Sequence, residues 1–369
     1  MKRIFLSGAF LLALTATAFA QNNTLTFDQS GIGNEAEGTQ VGLNNVSTIT
    51  QTSPGPGGNY AELYIGGQAN TTTQTQTGTG NYSVLNLIGP ASVDGVANSN
   101  NNIITTVQDG VDHAFRTDVY GVGNDVLSTQ VGNSNWSYLN LRGTSANGNN
   151  NDNTIEFDQN GTNNVISTAI QGSSNDVTIS QLGTGNNIGT RFDDINYGVS
   201  IRGDQNIVGI DQNGDGNSAS VNIENNFNQT YIDQDGNGNS VSVSQLGNIP
   251  NGEHYASVTQ TGDDNSATIT QEGFRQNIDL DQIGDGNIAT ISQSGTGAVG
   301  NGIDLDQIGN NNEATLTQTG EANNLKLLQN GNDNQMTVSQ TGTGGLLNLT
   351  QSGNGNVGNI TQNNVVVLP

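Results

Sequence analysis

Glutamine returns every eleven residues along most of this chain, and no other feature restricts its fold as tightly. The steps run Gln29, Gln40, Gln51, then Gln260, Gln271, Gln282, Gln293, then Gln307, Gln318, Gln329, Gln340, Gln351, Gln362. Between these runs the same register visits Ile65, Gln76, Leu87, Gln108, Val119, Gln130, Leu141, Gln159, Ile170, Gln181, Ile201, Gln212, Ile223, Gln234 and Gln245. Twenty-one of these 28 anchors are Gln, the other seven are Ile, Leu or Val, and none is charged. A position that accepts only Gln or a large aliphatic side chain reads as buried. Six intervals exceed 11, and all read as loop insertions. Three pairs of aliphatic anchors, Ile65 and Leu87, Val119 and Leu141, Ile201 and Ile223, lie 22 apart. Two units per turn of the chain would stack each pair on one side of an array.

Asparagine holds the fifth place after most anchors, as at Asn34, Asn45, Asn265, Asn287, Asn312, Asn334 and Asn356. His113 and Gln276 stand in that slot, and so does His254 once the insertion before it is allowed for. Between slot and anchor the pattern has period two. Ile278, Leu280 and Gln282 alternate with Asn277, Asp279 and Asp281, which describes a strand with one buried face. Ile283-Gly284-Asp285-Gly286 then supplies turn chemistry. One such hairpin cannot bury its few apolar residues, but stacked copies make a continuous core. The expected fold is therefore all-β: a β-solenoid (β-helix) of about 14 two-strand rungs, roughly 65 Å long at the usual strand spacing. Its inward Gln and Asn would bond to their equivalents in the next rung and so meet the cost of burying amides.

Composition agrees with a thin, partly polar core. Apolar residues are 31% and charged residues 11% of the chain, while Gly alone counts 51. A formal charge of −25 argues against nucleic acid as a partner, because phosphate binding needs clustered Lys and Arg. With no Cys, disulfides and thiolate metal sites are excluded. Lys2 and Arg3, the apolar stretch 4–16 and Ala18-Phe19-Ala20 form a signal-peptide pattern over residues 1–20. Cleavage near Ala20 would leave 21–369 as one repeat domain, secreted and extracellular or on the cell surface. Loss of Lys2 and Arg3 takes the formal charge from −25 to −27.

The phrase Gln282-Ile283-Gly284-Asp285-Gly286-Asn287-Ile288-Ala289-Thr290-Ile291-Ser292-Gln293 resembles the curlin repeat of curli fibre subunits, and Gln260 to Gln271 and Gln351 to Gln362 match most of it. The resemblance covers essentially the whole mature chain and identifies it as an enlarged or divergent member of that family. It implies export through a dedicated outer-membrane pore and assembly outside the cell into cross-β fibres. It also implies partners: other copies of the chain, other curli-type subunits, and secretion and nucleation components. Departures from the family are the larger number of rungs, a strand pattern that begins already at Asn23, and few basic residues.

Motifs that carry chemistry are weak. Asp211 to Gly216 and Asp233 to Asn237 start like calcium loops, but Asn222 and Ser244 stand where a bidentate acid is required. His113 and His254 are far apart and read as amide substitutes, not as ligands or bases. Asp193-Asp194 and Asp263-Asp264 read as solvated turn acids. No catalytic, metal or cofactor site is expected, and the chain is not expected to be an enzyme. Tyr60, Tyr82 and Trp136 each follow a slot Asn and are expected to face outward, as are Tyr64 and Tyr138. Such a stripe suits contact with a polysaccharide or host surface, or ordinary cross-strand pairing.

The function expected from these features is a secreted subunit that builds curli-like amyloid fibres in a biofilm matrix. Rungs would stack end to end, with Val365 to Leu368 as an apolar terminal strand. Outward acids would slow assembly at neutral pH and low salt. The alternative is a soluble monomeric β-solenoid that binds a polysaccharide or ice. Ice binding would call for regular Thr ranks, whereas outward Thr268, Thr270, Thr290, Thr315 and Thr317 alternate along the chain with Ser, Asp and Glu.

Overall fold

The computed structural model describes residues 22–87, 99–141, 151–190, 197–247, 252–295 and 297–364. The expected signal peptide, Asp193-Asp194 and the strand at Val365 to Leu368 lie outside these residues. The chain is all-β, with 71% strand and about 14 stacked turns of roughly 22 residues. Every rung gives one strand to each of two parallel sheets. Sheet 1 runs from Thr24–Gly31 to Leu346–Ser352, and sheet 2 from Glu35–Leu43 to Val357–Asn364. Successive strands of the chain go to opposite sheets, so each strand pairs with the one two places on. Anchor meets anchor in this pairing: Gln29 lies beside Gln51, and Gln260 beside Gln282.

Tight turns make the stacking possible. Gly284 has φ 114° and Gly286 φ 66°, both in the left-handed region. A Cβ on Gly284 would meet the Gly309 carbonyl oxygen of the next rung at 2.3 Å. The turn must therefore be bare for the next turn to sit on it.

In five of the six long intervals the extra length falls between consecutive strands, as expected. In the sixth it falls inside a strand. The strand of the seventh rung in sheet 2 is split into Asn187–Ile188 and Val199–Arg202, with an excursion between them. This excursion is why sheet 2 counts 15 strands against 14. Ile188, Val199 and Ile201 still fill the inward positions of one rung.

One continuous apolar core runs the length of the solenoid, between Ile49 and Val338. A second, small cluster lies outside it, on the outer side of sheet 2. It corrects the expected aromatic stripe. Trp136 and Tyr138 point away from the core, yet each is only 4% exposed. Tyr197, returning from the excursion, stacks on Tyr138 at 6.1 Å and accepts a hydrogen bond from Asn140 Nδ2 at 2.9 Å. Period-two reading gives the side on which a residue lies, and only the excursion decides that this side is covered.

Candidate functional site

The interior is a set of amide ladders. In sheet 1 all fourteen anchors are Gln. Each Nε2 donates to the Oε1 of the next rung, from Gln29 to Gln51 at 2.6 Å through to Gln329 to Gln351 at 2.9 Å, without a gap. Most of these Nε2 groups also donate to a backbone carbonyl of the facing strand, as Gln282 does to Ser266. Both amide hydrogens and one lone pair are thereby satisfied inside an apolar core.

Sheet 2 is different. Gln40 is followed by all seven aliphatic anchors in succession, Ile65 to Ile223, and then by Gln245, Gln271, Gln293, Gln318, Gln340 and Gln362. The second run is bonded rung to rung like sheet 1. At each edge of the aliphatic stretch one glutamine lacks its ladder partner, and a hydroxyl takes the place. Gln40 Nε2 donates to Ser47 Oγ at 2.6 Å, and Thr230 Oγ1 donates to Gln245 Oε1 at 3.0 Å. Sequence reading missed these two hydroxyls, because Ser47 and Thr230 occupy positions that usually hold Ile, Leu, Val or Ala.

The slot residues form two further columns, one along each edge of the solenoid. A side-chain Oδ1 accepts the backbone N–H of the slot residue above it. One column runs from Asn34 through Asn59 and Asn81 to Asn334 and Asn356. The other runs from Asn23 through Asn45 and Asn70 to Asn323 and ends at Gly345. A third ladder lies in the exposed turns. Asp215 Oδ1 accepts from Thr184 N, Asn237 Oδ1 from Asp215 N, and the series continues through Asp263 and Asp285 to Asn354. Asp215 therefore holds a turn together. Among the described residues no group of three His, Asp or Glu is placed to hold a metal ion.

The two outer faces separate what the sequence interleaves. On sheet 1, Asp211 pairs with Asp233, and Asp279 and Asp281 pair with Asp304 and Asp306. Burial and these like-charged neighbours push Asp233, Asp279 and Asp306 above the usual carboxylate range. Lys326 caps the patch, its Nζ 2.6 Å from Asp304. On sheet 2 the same rungs carry two adjacent columns of small polar groups. One is Ser220, Ser242, Thr268, Thr290, Thr315, Thr337 and Asn359, the other Asn222, Ser244, Thr270, Ser292, Thr317, Ser339 and Thr361. The alternation of Thr with Asp along the chain is thus an alternation between faces. Tyr60 and Tyr82 also belong to sheet 2, near its start, stacked at 5.2 Å with 10° between rings. The Tyr60 hydroxyl donates to Glu62 Oε2 at 3.2 Å, and burial together with that carboxylate raises its pKa. Tyr82 is 39% exposed and Tyr64 38%, so this part of the stripe is open.

At the poles the inward residues have no further rung over them among the described residues. Leu25, Phe27 and Ala36 at one end, and Leu347, Leu349 and Ile360 at the other, are only partly buried. Leu346 and Val357, which face outward on the last rung, are 71% and 76% exposed.

These features define a class: a parallel β-solenoid whose rungs are joined by internal amide ladders. The family model for the curlin associated repeat matches residues 252–273 and 309–342, so the chain carries curlin repeats in these two segments. Both matched segments lie where the anchors of both sheets are Gln. No curated protein matches the chain.

Proposed function

We propose that the protein is a secreted structural subunit, without catalytic activity, whose solenoids stack end to end into curli-like amyloid fibres outside the cell. One observation carries this reading: among the described residues, the parallel strands at both poles have no further strand on them and lie above half-covered apolar residues. Unpaired edges of this kind template further pairing. Joining the Leu346–Ser352 and Val357–Asn364 pole of one subunit to the Thr24–Gly31 and Glu35–Leu43 pole of the next keeps the strands parallel and sets Gln351 over Gln29. The curlin repeats support self-assembly with other curli components as partners. The acids on sheet 1 restrain lateral association, so lower pH or added salt speeds growth. Electron microscopy of the purified mature chain over time, with thioflavin binding and fibre diffraction, tests the reading. Filaments with a reflection near 4.7 Å are expected; a chain that stays monomeric overturns it.

The hydroxyl face of sheet 2 favours a second reading, in which the solenoid acts as a monomer and this face binds ice. From Ser220 to Thr361 the face repeats with the rungs, and its two central columns hold no charge and no aromatic ring. Absence of thermal hysteresis in solutions of the monomer would rule this reading out.

A further inference from the structure

Each slot column contains one histidine, and the two sit in equivalent places. His113 donates its backbone N–H to Asn81 Oδ1 at 3.1 Å. Its Nδ1 lies 3.3 Å from the backbone nitrogen of Asn135, and its Nε2 3.2 Å from the Asp109 carbonyl oxygen. His254 repeats the arrangement in the other column. Its N–H donates to Asn228 Oδ1 at 3.0 Å, its Nδ1 is 3.2 Å from Gln276 N, and its Nε2 is 3.3 Å from the Leu246 carbonyl oxygen. Both rings are fully buried.

These contacts fix the protonation state. A backbone N–H has only a hydrogen to offer, so Nδ1 must be the bare nitrogen. A carbonyl has only lone pairs, so Nε2 must carry the hydrogen. The neutral Nε2–H imidazole is the one form that satisfies both contacts. A second proton has to go onto Nδ1, where it faces the N–H of the next rung. Asparagine, which fills almost every other place in the columns, has no such weakness, because its Oδ1 remains an acceptor across the physiological range.

We propose that His113 and His254 are acid-sensitive latches in the stacking: neutral, they close the columns between the fourth and fifth and between the tenth and eleventh rungs, and protonation opens them there. The latch belongs to the single subunit and holds whether or not subunits polymerise. Neighbouring charges do not cancel it. Asp109 and Asp112, in the turn of His113, favour the charged ring, but burial outweighs them and the pKa is lowered. The turns stacked on either side, 77–81 and 131–135, carry no charged residue. Around His254 the charged residues of the stacked turns are Glu224, Glu253, Glu272 and Arg275, of which Glu253 and Arg275 bond to each other at 2.6 Å. Burial brings His254 down to about 4.

The sign follows from proton counting. A folded-state value below the ordinary 6.5 means that the unfolded chain binds more protons in the interval between them. Stability from this source is intact above 6.5 and falls with the pH, and for His254 the loss is complete only below about 4. Within that window the unfolding constant rises about tenfold per pH unit on account of His254, and His113 adds a loss of the same sign below 6.5.

The experiment is denaturant unfolding of the mature chain at pH 7.5, 6 and 5, beside the H113N/H254N variant, which restores the column residue. Wild-type protein is expected to lose midpoint steadily towards pH 5, and the variant to lose markedly less. Parallel curves for the two proteins overturn the proposal. Should the double variant not fold, the imidazole nitrogens of the wild-type chain decide the matter by NMR. Nε2–H tautomers that take up a proton only below 6.5 support the latches, whereas titration at 6.5 or above overturns them.

Discussion

The two halves of the solenoid solve the same burial problem differently. From Gln229 to Asn364 both sheets carry glutamine at every anchor, each bonded to the next. From Val46 to Glu224 only sheet 1 does so, while sheet 2 fills its anchors with Ile, Leu and Val. An amide in an apolar core needs a hydrogen-bonding partner beside it, so glutamine and aliphatic anchors segregate into runs. Scattered through one sheet, each aliphatic anchor would orphan an amide on both sides. Sheet 2 has one aliphatic run and therefore two borders, closed by Ser47 and Thr230. The first half is also less completely paired within its core. Thr106, Thr117, Ser128 and Thr168 are buried hydroxyls without a hydrogen-bond partner, and the corresponding rungs of the second half hold aliphatic side chains there.

Exchanging anchors between the two solutions gives the largest effect. Gln260→Leu leaves the ladder open at Gln234 and at Gln282, and Ile170→Gln buries an amide between aliphatic neighbours. Each is expected to cost about 2–4 kcal/mol, since orphaned buried polar groups cost roughly 1–3 kcal/mol apiece. The midpoint of denaturant unfolding measures both, and a neutral outcome for either breaks the segregation argument. Thr230→Val keeps the shape of the border but removes its donor to Gln245, for an expected loss of about 1–2 kcal/mol. The same substitution away from the border has the opposite sign. Thr106→Val removes a hydroxyl that bonds to nothing and should raise stability by up to about 1 kcal/mol.

The smallest effect is on the acidic face of the second half. Asp279 and Asp306 have folded-state values above the ordinary 3.8, so the folded protein takes up protons before the unfolded chain does. Their contribution therefore improves as the pH falls through the raised values, opposite to the histidines. Asp279→Asn should reduce this gain, read as a smaller rise in unfolding midpoint between pH 6 and 4 in a background that carries H113N/H254N.

Much of this arrangement was legible in the residues. The strand faces followed from period two at Ile278, Leu280 and Gln282, and the stacking of Ile65 on Leu87 followed from their spacing of 22. The amide slot of His113 and His254 was readable as well, though not the direction of their ring nitrogens. The burial of Trp136 and Tyr138 is not legible in period two, because Tyr197, which packs against their cluster and stacks on Tyr138, comes from 59 positions beyond Tyr138 in the chain. The borders at Ser47 and Thr230 were missed because each hydroxyl serves a glutamine in the opposite sheet.

The sequence by itself determined the unit, the number of rungs and the identity of the inward row. Each of these is a matter of period, and a period of eleven with alternating polarity has few ways to bury itself. Only the tertiary structure decided what the unit adds up to on the outside. Successive strands go to opposite sheets, so Asp279 and Thr290, eleven positions apart in the chain, end on opposite faces. In the second half one face gathers the carboxylates of Asp279, Asp281, Asp304 and Asp306 and the other the hydroxyls of Thr268, Thr290, Thr315 and Thr337, because winding, and not order along the chain, chooses the neighbours of an outward side chain.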